Sequence, residues 1–316
     1  MADSVTSAQK KSPAQAARDW IQRLHRWLMA DEALAAEKAA PPVRKPATPA
    51  PTLATTVAGA EPSNLAGSDL NIIALLNVLW GEGWHLPLGD HMTTVMVRAF
   101  GLDSSMGVLD LTAGLGGAAR KIAAEYNTYV TGLEDNSELV MASAAFHARH
   151  NPGKRATLAA YDPGLFKAEK RYDGIIAREL FFRIKNKKDF AAQVAASLKP
   201  QGQMSWTDLV VIDGTPPTAL EAWCTHEGPQ CNPMLLSDVP KLWSIHGLEV
   251  RVSEDRTGHY ADAITLGLGK LMQSLQGENL SPESRRMVLH EVDRWAQRMV
   301  AFSAGLRFYR IHALKR

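Results

Sequence analysis

Chemistry in this chain is first suggested by a short stretch that combines an acid with several glycines. Two apolar residues are followed by Asp110 and then by Gly114, Gly116 and Gly117, and residues 118–124 have a helical composition. A strand, a glycine loop and a helix in this order form a nucleotide site in open α/β sheets. Glycine lets the backbone approach a ligand because no Cβ stands in the way. One such loop is a weak signal on its own, so the following strands have to support it.

Acids also end the next two predicted strands. Residues 129–134 read as a second strand that ends in Glu134, 24 residues after Asp110. At this spacing a carboxylate can bind a ribose hydroxyl pair. A third apolar stretch, 156–160, is followed by Tyr161 and Asp162. These acids therefore extend the predicted ligand site along one edge of a sheet.

The remaining pattern predicts an alternating α/β chain in which the last strand runs antiparallel to its neighbours. The predicted helices are 69–79, 188–198, 235–245, 261–275 and 281–303, the predicted strands are 172–177, 204–210, 247–252 and 306–315, and a turn is predicted at 199–202. The helix after residue 280 starts at Ser281-Pro282, because serine favours the capping position and proline the first helical position.

In order and spacing, this pattern resembles the class I S-adenosylmethionine-dependent methyltransferases. The matching stretches are LDLTAGLGGAAR, VTGLEDN, AAYD, YDGIIA and SLKPQGQMSWTDLV. The resemblance covers roughly Trp80 to the C-terminus. It implies a Rossmann-like, seven-stranded α/β sheet with an antiparallel last strand, helices on both faces and a helical insert before the last strand. The chain departs from the family at Thr112, where the glycine pattern has another glycine.

The resemblance implies S-adenosyl-L-methionine as the cofactor. Glu134 would hold its ribose, the backbone of Gly114 to Gly117 its methionine and ribose region, and Asp162 would lie near its adenine. Two of the acids have structural alternatives, since Asp162 could cap a helix and Asp110 could orient the glycine loop. The predicted cofactor-binding residues are Asp110, Thr112, Gly114, Gly116, Gly117, Glu134, Asp162 and Trp80.

A loop with two tryptophans, WGEGWHLP at 80–87, precedes the first strand. It resembles the segment that covers the cofactor and begins the acceptor pocket in small-molecule methyltransferases acting on amines. A hydrophobic lid without a chemical role is the alternative, because aromatic residues more often fill cores than stack on ligands. His85 and His91 could approach the acceptor from this side.

Three residues are predicted to act on the acceptor: His259, Tyr260 and Asp208. The segment around Tyr260 resembles the D-x-T-x-x-Y segment of amine and lipid-headgroup methyltransferases. Asp208 ends the fifth strand, and such acids can hold a cationic acceptor in amine methyltransferases. Surface-loop and loop-capping roles are the alternatives. The charged pair Arg178-Glu179 follows the fourth strand and is either part of the site or a surface ion pair.

The function favoured by these features is methyl transfer to a small-molecule or lipid-headgroup acceptor, with N-methylation preferred, by direct in-line displacement. A protein or nucleic-acid methyltransferase is a second reading. The net charge of +2 and the sequence AREL after the fourth strand, where base methyltransferases have an N/D-P-P-Y/F tetrad, count against nucleic acid. A non-catalytic cofactor-binding scaffold is a third reading, and Thr112 is its main support.

Composition limits the remaining classes. Of the 316 residues, 46% are hydrophobic and 22% are charged, which is ordinary for a globular protein. Two cysteines are too few for a disulfide scaffold, and the spacing of Cys224, His226 and Cys231 matches no common zinc pattern, so no metal is predicted. No apolar run has the length of a membrane span and no signal-peptide core is present. We therefore expect a cytoplasmic protein.

Three regions are predicted. Residues 1–38 form a tail and an amphipathic helix, 39–66 a Pro/Ala-rich flexible linker, and 67–316 the methyltransferase domain, with a helical insert at about 256–303. The first helix carries tryptophans, arginines and acids on interleaved positions. Packing or self-association, including a homodimer, is favoured for it, with contact to an anionic membrane surface as the alternative.

Overall fold

The computed structural model describes residues 70–150, 153–276 and 278–316, together with Asp19. The helices in this part of the chain are α1 (Ile72–Trp80), α2 (Gly89–Val97), α3 (Gly117–Tyr126), α4 (Ser137–His150), α5 (Lys187–Ala196), α6 (Glu221–Glu227), α7 (Val239–Ser244), α8 (Thr257–Leu275) and α9 (Pro282–Ala304). The strands are β1 (Gly107–Asp110), β2 (Tyr129–Glu134), β3 (Ala156–Ala160), β4 (Tyr172–Arg178), β5 (Leu198–Val211), β6 (Met234–Leu235), β7 (Leu248–Asp255) and β8 (Leu306–Lys315).

One sheet connects all of these strands. Its order is β3-β2-β1-β4-β5-β8-β7, and the short β6 pairs with β5. The pairs β1–β2, β1–β4, β2–β3 and β4–β5 are parallel, whereas β8 is antiparallel to both β5 and β7. The strand order reverses between β1 and β4, which is where open α/β sheets bind ligands, at the carboxyl ends of the strands. The predicted fold class is confirmed.

Apolar side chains fill both faces of the central strands. Neighbouring β1 residues Val108 and Leu109 are fully buried but belong to different core clusters, because successive side chains of a strand point to opposite faces. The first cluster contains residues of α1, α2, α3, α8 and α9, and the second contains residues of α5 and α7. The insert helices α8 and α9 therefore cover the same face as the helices that flank the glycine loop.

The predicted start of α9 is confirmed, and the helix termini have visible causes. Ser281 caps α9 by accepting a hydrogen bond from the Ser284 amide at 3.1 Å, and Pro282 is its first residue. The helix ends at Gly305, whose φ of 118° lies in the left-handed region. Asn71 caps α1 in the same way, at 2.9 Å from the Ala74 amide.

Two local predictions differ from the structure. The predicted turn at 199–202 belongs to β5, because Leu198 already pairs with Tyr172 across a β-bulge. The predicted helix at 235–245 begins only at Val239, since Pro240 favours the first turn of a helix, and β6 precedes it. Helices α2, α4 and α6 were not predicted from the sequence.

The predicted amphipathic helix in 1–38 and the predicted linker at 39–66 lie outside the described residues, Asp19 excepted. Within the described ranges, no helix combines the length and the apolar composition needed to cross a membrane. The described residues likewise contain no group of three or more potential ligands that could hold a metal ion.

Candidate functional site

The glycine loop makes a tight turn between β1 and α3. The Gly116 amide donates to the carbonyl of Ala113 at 2.7 Å, and Gly114 and Gly116 have φ values of 55° and 81°. This left-handed conformation is one that glycine adopts at little cost. A Cβ on Gly114 would lie 1.9 Å from Nδ1 of His85. The loop therefore needs glycine both for its turn and for close contact with the segment at 81–88.

Glu134 lies directly beneath this loop, at the end of β2. Its Oε2 accepts a hydrogen bond from the Gly114 amide at 2.7 Å and its Oε1 accepts one from the Asn136 amide at 3.0 Å. Burial, reinforced by the neighbouring Asp135, raises the pKa of Glu134 to about 7. Each carboxylate oxygen can accept a second hydrogen bond, so Glu134 can hold the loop and still bind ligand hydroxyls.

Asp162 and Tyr161 follow β3 at the same edge. Asp162 accepts a hydrogen bond from the Gly164 amide at 2.7 Å and so caps a single helical turn. Helix capping is one of the two roles predicted for Asp162 from the sequence. The Tyr161 hydroxyl donates to the carbonyl of Leu111 at 2.7 Å. Both residues line a cavity of about 740 Å³, which also includes Asp135 and Arg183. Capping and lining a ligand cavity are thus compatible roles for Asp162.

An ion pair between Asp135 and Arg183 borders this cavity, at 2.6 Å. Burial alone would raise the pKa of Asp135, but the Arg183 guanidinium outweighs it and lowers this pKa. Sequence reasoning did not identify this pair. The only signal was the second acid of the Glu134-Asp135 doublet, because the two partners are 48 residues apart in sequence.

Thr112, the departure from the glycine pattern, is buried and bound to the next strand. Its hydroxyl oxygen accepts a hydrogen bond from the Arg178 amide at 2.7 Å, and its own amide donates to Oδ1 of Asp110 at 3.1 Å. The side chain that replaces a glycine therefore fastens the loop after β1 to the end of β4.

A second, much smaller cavity lies between β1 and β4. Its volume is about 10 Å³, and its lining includes Trp84, His85, Asp110, Thr112 and Arg178. Oδ2 of Asp110 and Nε of Arg178 are buried there, and neither has a hydrogen-bond partner in the described structure. A buried polar atom without a partner is costly, so this crevice holds two polar groups whose hydrogen-bonding capacity the described residues leave unused.

The buried Asp110 carboxylate leads to a stability prediction. Burial raises its pKa to about 7 from the ordinary 3.8, so between about pH 4 and pH 7 the folded state binds more protons than the unfolded state. Stability contributed by Asp110 therefore falls as pH rises through this window. We expect Asp110→Asn to become progressively more stable than the wild type as pH rises from 4 to 8, by an amount on the order of a few kcal/mol.

Urea unfolding of the two proteins at several pH values measures this difference. Asp173→Asn is the matched control, because Asp173 is partly exposed and paired with Lys199 at 2.9 Å. If the difference in unfolding free energy between Asp110→Asn and the wild type stays constant from pH 4 to 8, burial does not destabilise the charged form of Asp110.

Tyr260, which is predicted to act on the acceptor, belongs to a buried charged network. Its hydroxyl donates to Oε1 of Glu179 at 2.5 Å and accepts a hydrogen bond from Arg298 at 3.2 Å. Arg298 also donates to Oε2 of Glu179 at 2.5 Å and forms two hydrogen bonds with Glu227. The Tyr260 ring stacks on the Phe308 ring, with ring centroids 3.9 Å apart. This network fixes the direction of the Tyr260 hydroxyl bond.

The other two predicted acceptor residues have different surroundings. His259 is exposed at the start of α8. Asp208 is buried and accepts hydrogen bonds from the amides of Phe182 and Leu209, at 3.1 and 2.8 Å, and burial raises its pKa to about 7. Asp208 borders a different small cavity with Trp206. The structure therefore gives Asp208 a role in holding the loop after β4, and roles for both residues in catalysis stay predictions.

The two tryptophans of the loop at 80–87 differ in their surroundings. Trp80 packs edge-on against Trp295 of α9, with ring centroids 4.7 Å apart, and is not among the residues that line the two cavities at β1, β2 and β4. Trp84 does line the crevice, and its ring contacts Gly89 and Gly117. Cofactor contact by Trp80 stays a prediction, and Trp84 is the better placed of the two.

No family model matches the chain. A curated O-methyltransferase from Pyrenophora dematioidea is 27% identical over 167 residues, which cover 52% of this chain and 59% of that protein. The chain thus spans less than two thirds of the length of this relative, and the match supports a shared ancestry without transferring an activity.

Solved structures give the fold. A phosphoethanolamine N-methyltransferase from Haemonchus contortus, in complex with S-adenosyl-L-methionine, superposes with a TM-score of 0.66 at 19% identity over 77% of this chain and 56% of that chain. A cyclopropane synthase from Mycobacterium tuberculosis has a TM-score of 0.58 at 16% identity over 71% and 83%. The resemblance seen in the sequence is confirmed: the chain has the class I S-adenosylmethionine-dependent methyltransferase fold.

Proposed function

We propose that the chain transfers the methyl group of S-adenosyl-L-methionine to a small-molecule acceptor, with nitrogen as the preferred accepting atom. One observation carries this proposal. The Glu134 carboxylate is held under a glycine loop and borders Asp135, which lines the cavity of about 740 Å³. A cavity of this size is typical of cofactor sites, and carboxylate, glycine loop and cavity meet at the strand ends where nucleotides bind.

The residues present fit the cofactor in chemistry. Glu134 offers acceptor oxygens for ribose hydroxyls, and the missing Cβ of Gly114 lets the glycine loop pack closely against His85. Tyr161 and Asp162 line the cavity where the base would lie. Oδ2 of Asp110 is an unpartnered acceptor in the adjoining crevice. The hydrogen bonds and close contacts that build the glycine loop thus also support cofactor binding by these residues.

When bound, the cofactor supplies an electrophilic methyl group on a sulfonium centre. The chain's own residues align the acceptor, exclude water and accept the proton that an amine or hydroxyl acceptor must lose. The oxygen of Tyr260 can take this proton while its own proton passes to Oε1 of Glu179 at 2.5 Å. The acceptor then loses one proton, Glu179 gains one and the Tyr260 hydroxyl is restored.

The burial of this network favours a small acceptor over a macromolecule. Tyr260 and Arg298 are fully buried and Glu179 is 3% exposed. An acceptor that reaches them must enter the interior of the domain. A small molecule can do so entirely, whereas a protein or nucleic-acid chain would have to insert an extruded group. The near-neutral net charge of +2 also gives no general attraction to nucleic acid.

Transfer of a labelled methyl group from S-adenosyl-L-methionine to a panel of acceptors tests the proposal. The panel contains primary and secondary amines, phosphorylated amino alcohols, phenols and small alcohols, with bulk protein and RNA as macromolecular arms. We expect label in a small amine or hydroxyl compound, and we expect Tyr260→Phe to lower turnover by about 100-fold, the scale of one proton-transfer group.

Tyr309→Phe is the control, because Tyr309 lies on β8 next to Phe308 and points to the other face of the sheet. Cofactor binding without transfer to any arm would favour the non-catalytic scaffold. Label in protein or RNA alone would favour the macromolecular reading.

A further inference from the structure

The backbone of Glu179 has a conformation that is uncommon for its residue type. Its φ of 55° lies in the left-handed region, which residues with a Cβ rarely adopt. Its amide donates to the carbonyl of Thr207 at 2.7 Å, and its two carboxylate oxygens accept hydrogen bonds from Tyr260 and Arg298. Such backbone strain persists only where the surrounding structure holds it, and it is concentrated at functional sites. The direction of the Glu179 carboxylate is therefore closely fixed.

The Arg298 guanidinium divides its three nitrogens between two carboxylates. Nε and Nη2 donate to Oε1 and Oε2 of Glu227, the second at 3.0 Å. Nη1 donates to Oε2 of Glu179 at 2.5 Å and to the Tyr260 hydroxyl oxygen at 3.2 Å. A guanidinium is planar and its donors have fixed directions. A carboxylate that binds two of its nitrogens therefore sets the direction of the third, and Glu227 in this way orients Nη1.

Glu227 is itself held in place. It is the last residue of α6, which packs against α9, and its side chain is 3% exposed. Nε1 of Trp223, one turn earlier, donates to Oε1 of Glu227 at 2.9 Å. The Arg298 guanidinium outweighs burial and lowers the pKa of Glu227 to about 2, so this carboxylate is ionised at neutral pH. Glu227 is thus a fixed, charged partner for the guanidinium.

These contacts leave one position on the Tyr260 oxygen open. A phenolic oxygen carries one proton and two acceptor lone pairs. The proton is donated to Glu179, and Nη1 of Arg298 binds one lone pair. Within the described ranges no other residue is hydrogen-bonded to this oxygen. The second lone pair is the one that can receive a proton from a methyl acceptor, and the two existing hydrogen bonds set its direction.

We propose that Glu227 and Arg298 are positioning residues for methyl transfer: Glu227 orients the guanidinium, and Nη1 of Arg298 holds the Tyr260 oxygen with its free lone pair toward the methyl acceptor. This inference rests on the proposed function, since it needs Tyr260 to take the acceptor's proton. That proton binds the Tyr260 oxygen while the original hydroxyl proton passes to Glu179. Glu227 and Arg298 neither gain nor lose a proton, and they act only through Tyr260.

A double-mutant cycle of Glu227→Gln and Tyr260→Phe tests the proposal. The substrate is the compound of the acceptor panel that takes up most label. We expect Glu227→Gln to lower kcat by about tenfold, the scale of coupling within one hydrogen-bond network, with little change in KM for this compound or for S-adenosyl-L-methionine. In the Tyr260→Phe background the same change should lower kcat no further. A variant that loses activity because it is partly unfolded would instead lose it by the same factor in both backgrounds.

Glu291→Gln is the matched control. Glu291 is also buried, at 4% exposure, and accepts a hydrogen bond from Nε1 of Trp295 at 2.6 Å, so the substitution removes a buried charge from α9. It should leave kcat close to the wild-type value. Arg298→Lys is the second test variant if Glu227→Gln does not fold. Lysine keeps the charge but lacks the planar fork that binds two carboxylates, so it should lower kcat in the wild-type background and not in Tyr260→Phe.

The possible outcomes separate the inference from the proposed function. A loss of kcat by the same factor in both backgrounds, or no loss in the wild-type background, would overturn the inference and leave the proposed function intact. Full activity of Tyr260→Phe would overturn the inference as well, because the two positioning residues would have nothing to position. Absence of transfer from the wild type to every compound of the panel would overturn the proposed function, and the inference with it.

Discussion

Replacing Arg298 with methionine is expected to destabilise the folded protein by about 3–5 kcal/mol, the range found when one partner of a buried ion pair is removed. Arg298 is fully buried and binds two carboxylates, Glu179 and Glu227, each with a side-chain exposure of 3%. Burial alone would raise the pKa of Glu227, but the Arg298 guanidinium outweighs it and holds this pKa at about 2. Without the arginine, two buried negative charges lose their partner.

Urea unfolding at pH 7 measures this loss, with Arg294→Met as the matched control. Arg294 lies one turn earlier on α9, is 31% exposed and is 3.8 Å from Glu227, so its removal should cost less than about 1 kcal/mol. In Arg298→Met, lowering the pH toward 4 should narrow the difference from the wild type, because the unpaired carboxylates then take up protons. A difference below 1 kcal/mol for Arg298→Met would contradict the view that this network anchors α9 to the site.

The second large effect is expected for Gly114→Ala. Gly114 has a φ of 55°, a conformation that costs alanine about 1–2 kcal/mol. The added Cβ would also stand 1.9 Å from Nδ1 of the buried His85 ring. That contact cannot exist, so either His85 leaves its position or the loop shifts away from Glu134. We expect a loss of stability of about 2 kcal/mol or more and a clear loss of S-adenosylhomocysteine affinity.

Gly101→Ala separates the two causes. Gly101 has a similar φ of 64°, but a Cβ there would meet nothing within 4 Å. This control should therefore show the backbone cost alone and keep full ligand affinity. Gly114→Ala combined with His85→Ala should recover part of the lost stability. If Gly114→Ala and Gly101→Ala lose the same stability and both keep full ligand affinity, the close contact between the glycine loop and His85 does not exist in solution.

The parts of the site that could be predicted from the sequence are those encoded by local patterns. Asp110 and Glu134 end β1 and β2, as their positions after apolar runs indicated. Their 24-residue spacing spans one helix and the strands on either side of it, so it is fixed by elements that are neighbours in sequence. The caps of α1 and α9 are similarly local, since each involves residues three positions apart.

The contacts that could not be predicted join distant parts of the chain. Glu179 and Arg298 are 119 residues apart, and Thr112 and Arg178 are 66 apart. Both pairs meet only after the sheet is assembled. Residue type is also ambiguous, because Asp208 and Trp80 have the chemistry of site residues and also make structural contacts, with backbone amides and with Trp295. Such uses become visible only through tertiary packing.

The central claim is that the glycine loop and Glu134 bind S-adenosyl-L-methionine, and calorimetric titration of the full chain with its product, S-adenosylhomocysteine, tests it most directly. The structure predicts one binding site in the wild type and an affinity about tenfold or more weaker in Glu134→Ala, because charge-assisted hydrogen bonds are lost. Glu125→Ala, a change on the exposed side of α3, should bind like the wild type. No heat of binding from a folded wild-type protein, or equal affinity in Glu134→Ala, would contradict the claim and leave only the shared fold.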